Sequence, residues 1–95
     1  MLEVTSEAKL QLKAVSQAQK LEPGQILRLA VPPVWTGQGD WGIVIDQRGA
    51  ADIAYAFEGN TVLIIEEVVA HSLANSILDY KTEGVPNPRF TLDIY

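Results

Sequence analysis

The stretch from Leu27 to Asp46, LRLAVPPVWTGQGDWGIVID, constrains the fold more than any other part of the chain. Two apolar runs, Ile26–Val31 and Trp41–Asp46, are rich in Ile, Val, Leu and Trp, residues that suit a pleated, half-buried surface. Between them Pro32-Pro33 cannot donate to a ladder and restricts the residue before it, so the chain must leave the sheet there. The expected product is a pair of strands whose rigid base fixes where the loop Val34–Asp40 points, an arrangement suited to holding a ligand. The loop offers Trp35, Thr36, Gly37, Gln38, Gly39 and Asp40, and meets Trp41 where the returning strand starts. Asp40 is its only ionisable side chain.

The remaining elements follow from period and punctuation. Leu2–Val4 is a short strand candidate, and Thr5 and Ser6 are good caps for a helix running from Ser6 to about Leu21. Ala8, Leu12 and Val15 share one face of it, widened by Leu10, Ala14, Ala18 and Leu21, with lysines over much of the remainder. Glu22-Pro23-Gly24 stops it, and strands follow at Gln25–Val31 and Trp41–Gln47. After the turn Arg48-Gly49-Ala50-Ala51, Asp52–Glu58 alternates, with Ile53, Tyr55 and Phe57 pointing one way. Glu58-Gly59-Asn60 signals a hairpin, with Gly and Asn as the residues tolerant of positive φ, and Thr61–Ile65 reads as a central strand. A short helix over Glu66 to about Asn75, with Val68, Val69, Ser72 and Leu73 on one face or its edge, precedes strands at Ile77–Lys81 and Phe90–Tyr95. Between those two strands runs the loop Thr82–Pro88. The order β-α-β-β-β-β-α-β-β predicts a single α+β domain over residues 1–95, with about seven strands in a mainly antiparallel or mixed sheet and two helices.

Charge and cysteine usage exclude whole mechanisms. A net charge of −5 spread along 95 residues, with no basic stripe, repels phosphate backbones and argues against a nucleic-acid partner. No apolar run approaches the roughly 20 residues that cross a bilayer. The start MLEVTSEAK lacks the basic and apolar segments of a secretory signal, so no membrane association and a cytoplasmic location are expected. With no cysteine, the chain has no disulfide, no thiolate nucleophile and no cysteine ligand for zinc or an iron–sulfur cluster. One histidine excludes an all-His zinc site, and no cofactor is expected.

In order and spacing the segments resemble the HesB-like family of A-type iron–sulfur cluster carriers. VTSEAKLQLKAV is similar to that family's Thr-capped first helix. LRLAV, a Gly-containing loop and WGIVID match its pattern LRLxVxGGGCSGxxYxLxxD from Leu27 to Asp46 without a gap. EGNTVLII, a short helix containing Leu73, ILDY and NPRFTLDIY resemble its later elements, so the likeness covers nearly the whole chain. The resemblance implies the HesB-like fold and association into dimers or tetramers. It also implies a departure. The family's first cysteine falls at or near Thr36, its preceding Gly-Gly is replaced by Val34-Trp35, and its C-terminal Cys-Gly-Cys has no counterpart before Tyr95. Threonine keeps its hydroxyl proton near neutral pH and is a poor ligand for soft metal chemistry. The expected protein is a cysteine-less, divergent member.

Three groups of residues are candidate sites. Trp35 and Trp41 bracket Thr36-Gly37-Gln38-Gly39-Asp40 and could form a stacking pocket for a small molecule or peptide, or could pack onto the sheet. Glu67 and His71 lie four apart, the spacing of helical metal sites, with Glu66 or a second chain needed to complete a set. Asp40, Asp46 and Asp52 are close in sequence, but no companion base or nucleophile accompanies them, and turn-capping explains them. The expected function is therefore non-catalytic: an accessory or regulatory binding protein related to iron–sulfur cluster assembly, acting on a protein partner or by self-association through its sheet. A small-ligand or metal-binding module using the same loop, or Glu67 and His71, stays open beside it.

Overall fold

The computed structural model describes residues 1–84 and 87–94; Val85 and Pro86, expected in a loop, and Tyr95, expected to end the last strand, lie outside the described residues. The elements are β1 (Glu3–Val4), α1 (Ser6–Gln19), β2 (Gln25–Ala30), β3 (Gly42–Gln47), β4 (Asp52–Phe57), β5 (Asn60–Glu66), α2 (Glu67–Ser72), β6 (Ser76–Lys81) and β7 (Arg89–Ile94). They form a four-stranded sheet of order β3-β2-β5-β4 and a three-stranded sheet of order β1-β6-β7. The pairs β2–β3, β4–β5 and β6–β7 are antiparallel, whereas β1–β6 and β2–β5 are parallel. The architecture is thus the expected α+β arrangement with mixed pairing. No helix among the described residues is long and apolar enough to cross a membrane.

Both sheets and α1 share one core. Ala8 and Leu12 of α1, Leu27 and Leu29 of β2, Leu63 and Ile65 of β5 and Leu78 of β6 are buried together in it. Thr5 starts α1: its hydroxyl oxygen accepts from the Ala8 N–H at 3.1 Å and donates to the Asp79 carboxylate at 2.7 Å, so one side chain caps the helix and ties it to β6. The helix ends at Gln19, before the expected Leu21, because Lys20 turns left-handed at φ 52°. Its buried stripe is also narrower than expected. Leu10 is 57% exposed, and Ala14 and Ala18 face solvent. Leu10 lies about 200° around the helix from Ala8, since each residue turns the chain by about 100°.

In β5, Leu63 and Ile65 face the core, while Ile64 faces the opposite side beside Arg28, so both faces of the strand are covered. A bulge between Tyr55 and Ala56 leaves Val62 as the extra residue, and it joins the core cluster. The β4–β5 turn differs from expectation: the left-handed residues are Glu58 (φ 53°) and Gly59 (φ 82°), because Asn60 already pairs with Phe57. The second helix is shorter than the expected Glu66–Asn75. Glu66 is still paired with Asp52 in β5, and Ser76 already belongs to β6. Ala70 is its buried residue; Val68, expected on the apolar face or its edge, is 72% exposed.

Candidate functional site

The β2–β3 unit is in register from Gln25↔Gln47 to Ala30↔Gly42, and this sets the two faces. Trp41 and Ile43 pack against the core, so Gly42 between them presents its Cβ position to the outer face. The chain leaves β2, turns through the cis Pro32–Pro33 bond, and the Trp35 N–H returns to the Val31 carbonyl at 3.0 Å. Trp35 then folds back over its own loop. Its indole N–H donates to the Gln38 carbonyl at 3.1 Å, and its ring lies against Gly37 and Gly42, where any Cβ would overlap it. The two tryptophans therefore sit on opposite faces of the sheet. Thr36, Gly37, Gln38, Gly39 and Asp40 are exposed around the outer one.

Beyond Trp35, the outer face is organised by Arg28. Its Nε donates to Asp46 at 2.9 Å, its two terminal nitrogens grip both oxygens of Asp52 at 2.6 Å each, and one of them reaches the Gln47 carbonyl at 3.2 Å. The Asp52 carboxylate also accepts from the Gly49 N–H at 2.6 Å, so it caps the β3–β4 turn as expected for that aspartate. The side chains of Arg28 and Asp52 are 12% and 4% exposed, against 49% for Asp46. The bidentate bond from Arg28 holds the Asp52 carboxyl below the usual carboxylate range, against the opposing effect of burial. The same bond raises Arg28 above its ordinary value.

Asp46 and Asp52 thus converge on Arg28, while Asp40 lies on the exposed loop. The sequence reasoning missed Arg28. The signal was available in the strand pairing: Arg28 faces Val44, which makes Asp46 its diagonal neighbour. Chemically this cluster is closed, since the guanidinium fork is spent on internal acceptors and Asp52 is a weak base. Beside it, Ala30, Val31, Pro32, Val34 and Val69 line a cavity of about 110 Å³. Glu67 and His71 lie 3.6 Å apart one turn along α2, with side chains 62% and 63% exposed. No group of three His, Cys, Asp or Glu placed to hold a metal ion occurs among the described residues.

Two solved structures share this architecture. Escherichia coli SufA, described as involved in the biosynthesis of iron–sulfur clusters, superposes with a TM-score of 0.64 at 20% identity, over 98% of this chain and 84% of its own. IscA in a form carrying a [2Fe-2S] cluster superposes with a TM-score of 0.59 at 24% identity, over 99% of this chain and 82% of its own. No family model and no curated protein matches the sequence. The chain therefore has the HesB-like fold of the A-type iron–sulfur carriers. Within that fold it is a cysteine-free variant.

An iron–sulfur cluster does not fit the residues present. The loop that resembles the carriers' first cysteine segment offers a hydroxyl at Thr36 in place of a thiolate. The Trp35 ring takes up the space against Gly37 and Gly42.

Proposed function

We propose that this chain is a non-catalytic binding domain, an accessory or regulatory relative of iron–sulfur cluster assembly that acts by contacting protein and not by ligating a cluster. The observation that carries this reading is the loop filled by its own tryptophan, Trp35 stacked on Gly37 and Gly42, on the fold of SufA and IscA. A bulky ring bonded to its own loop backbone makes a shaped contact surface and a poor metal cradle. The absence of catalysis is supported by the outer-face carboxylates. Asp52, locked against Arg28, cannot act as acid or base near neutral pH. The exposed loop Thr36–Asp40 is the part of this surface free to meet a partner.

Anaerobic incubation of the full chain with ferrous iron and sulfide tests this directly. The expected result is no stable visible absorption band after desalting; a retained cluster would mean that oxygen or nitrogen donors serve, and would overturn the proposal. The 3.6 Å Glu67–His71 pair supports a second reading, a weak metal site. A divalent-metal shift in melting temperature that disappears in His71→Ala would favour it.

A further inference from the structure

Strands β2 and β5 are adjacent and parallel, with Arg28 opposite Ile64, and their chains diverge at the carboxyl ends. The chain leaving β2 turns through Pro32-Pro33 to β3 on its far side, whereas β5 runs into α2 and on to the other sheet. Diverging connections of this kind leave a crevice beyond the strand ends, a recurrent place for ligands. The 110 Å³ cavity lies there: Ala30, Val31, Pro32 and Val34 come from the β2 side, and Glu66 and Val69 from the β5 side. A wider groove of about 520 Å³, running over Asp46, Ala50 and Asp52, shares Arg28, Val34 and Glu66 with the cavity, so these three stand at its mouth. In the β4–β5 ladder Glu66 is directly opposite Asp52, and like charges placed so cost stability. Arg28 answers Asp46 and Asp52 but makes no bond to Glu66, whose carboxylate has no hydrogen-bond or ion-pair partner among the described residues. Even with Arg48, which acts on Asp52 from the β3–β4 turn, three carboxylates here face two guanidinium groups.

We propose that this crevice binds a short alkylammonium ion, with its methyl end in the cavity and its ammonium group on the Glu66 carboxylate. The inference concerns a different surface from the loop Thr36–Asp40 and is independent of any role in cluster assembly. Size, polarity and the order of groups select this class of ligand. An apolar cavity of about 150 Å³ holds benzene, so one of about 110 Å³ takes a chain of about four carbons. The valine, alanine and proline walls favour hydrocarbon, and the net negative mouth attracts a cation and repels a carboxylate. A lysine side chain presents its groups in the reverse order. Its ammonium is at the tip and its bulk at the backbone, so entering the cavity would carry the charge into the apolar end.

A methyl-resolved NMR titration of the full chain with n-butylammonium chloride, at constant ionic strength, tests this. Saturable shifts should centre on the methyl groups of Ala30, Val34 and Val69, with millimolar affinity. Butanol, of the same shape without the charge, and butyrate should each bind at least about fivefold more weakly, the worth of one charged hydrogen bond at a partly exposed site. Glu66→Gln should weaken n-butylammonium by about the same factor. It should melt no lower than the unmodified chain, because the like-charge contact with Asp52 is gone. Glu22→Gln, which lies before the opposite end of β2, should leave the affinity unchanged. The absence of saturable shifts would overturn the proposal, as would equal affinity for butanol or an unchanged affinity in Glu66→Gln. So would an equal loss in Glu22→Gln, or a backbone-blocked lysine binding as tightly as n-butylammonium.

Discussion

Around Arg28, two carboxylates and a backbone carbonyl share one guanidinium, and burial decides what each contact contributes. Asp46 is half exposed, so its bond is screened by water and adds little. Asp52 is buried and gripped through both oxygens, and a charged hydrogen-bonded pair of this kind loses much when one partner is removed. Asp52→Asn is expected to lower unfolding free energy by about 2–3 kcal/mol at neutral pH, measured by urea denaturation. The pH dependence has a definite sign. A carboxyl whose folded pKa is depressed stabilises fully above its unfolded value of about 3.9, and that contribution is lost as pH falls through the lower folded value. The two stability curves should therefore converge in acid; parallel curves would show that the pair carries no such linkage. Asp79, held low chiefly by the Thr5 hydroxyl, loses stability in the same direction. Little of this was legible in the sequence. Arg28 sits between Leu27 and Leu29, which the core buries, and its partner Asp52 belongs to a strand two places across the sheet, a neighbour that local pattern does not reveal.

The segment joining β2 to β3 shows how much depends on side-chain direction. Strand identity, the break at Pro32-Pro33 and the exposed loop were all readable, because alternation and proline act locally. That Trp35 and Trp41 go to opposite faces was not. It follows from Gly42 presenting a bare backbone to the outer face, a consequence of its pairing with Ala30. Gly42→Ala places a methyl group where the indole lies, so the ring must lift. We expect a loss of about 1–3 kcal/mol, the usual cost of overpacking, with red-shifted tryptophan emission and stronger acrylamide quenching. Unchanged emission would mean that the ring does not rest on Gly42. The β4–β5 turn carries a similar lesson. Its position was evident from Gly59, yet the strand pairing of Asn60 forced the unusual positive φ onto Glu58.

Across the whole molecule, one core connects two sheets that share no strand. Leu63 of β5 and Leu78 of β6 are both fully buried within it, with Leu12 of α1 packed in the same cluster. Unfolding should accordingly be a single transition. Leu63→Ala and Leu78→Ala should each cost about 2–5 kcal/mol, with coincident curves from far-ultraviolet circular dichroism and tryptophan fluorescence. Separate transitions for the two probes would mean that the sheets are held independently.

Helices, strands and turns were decided close to home in this chain, by period, caps and proline, and the order and spacing of those pieces were enough to indicate the HesB-like fold. The lack of cysteine likewise needs no coordinates to exclude thiolate chemistry. Packing settled the rest: the narrow buried stripe of α1, the closed Arg28 cluster and the tryptophan folded into its own loop. Each of these depends on which residues far apart in sequence are brought face to face. Local propensity carries no record of that, because the free energy of a contact belongs to the pair and exists only once the chain has folded.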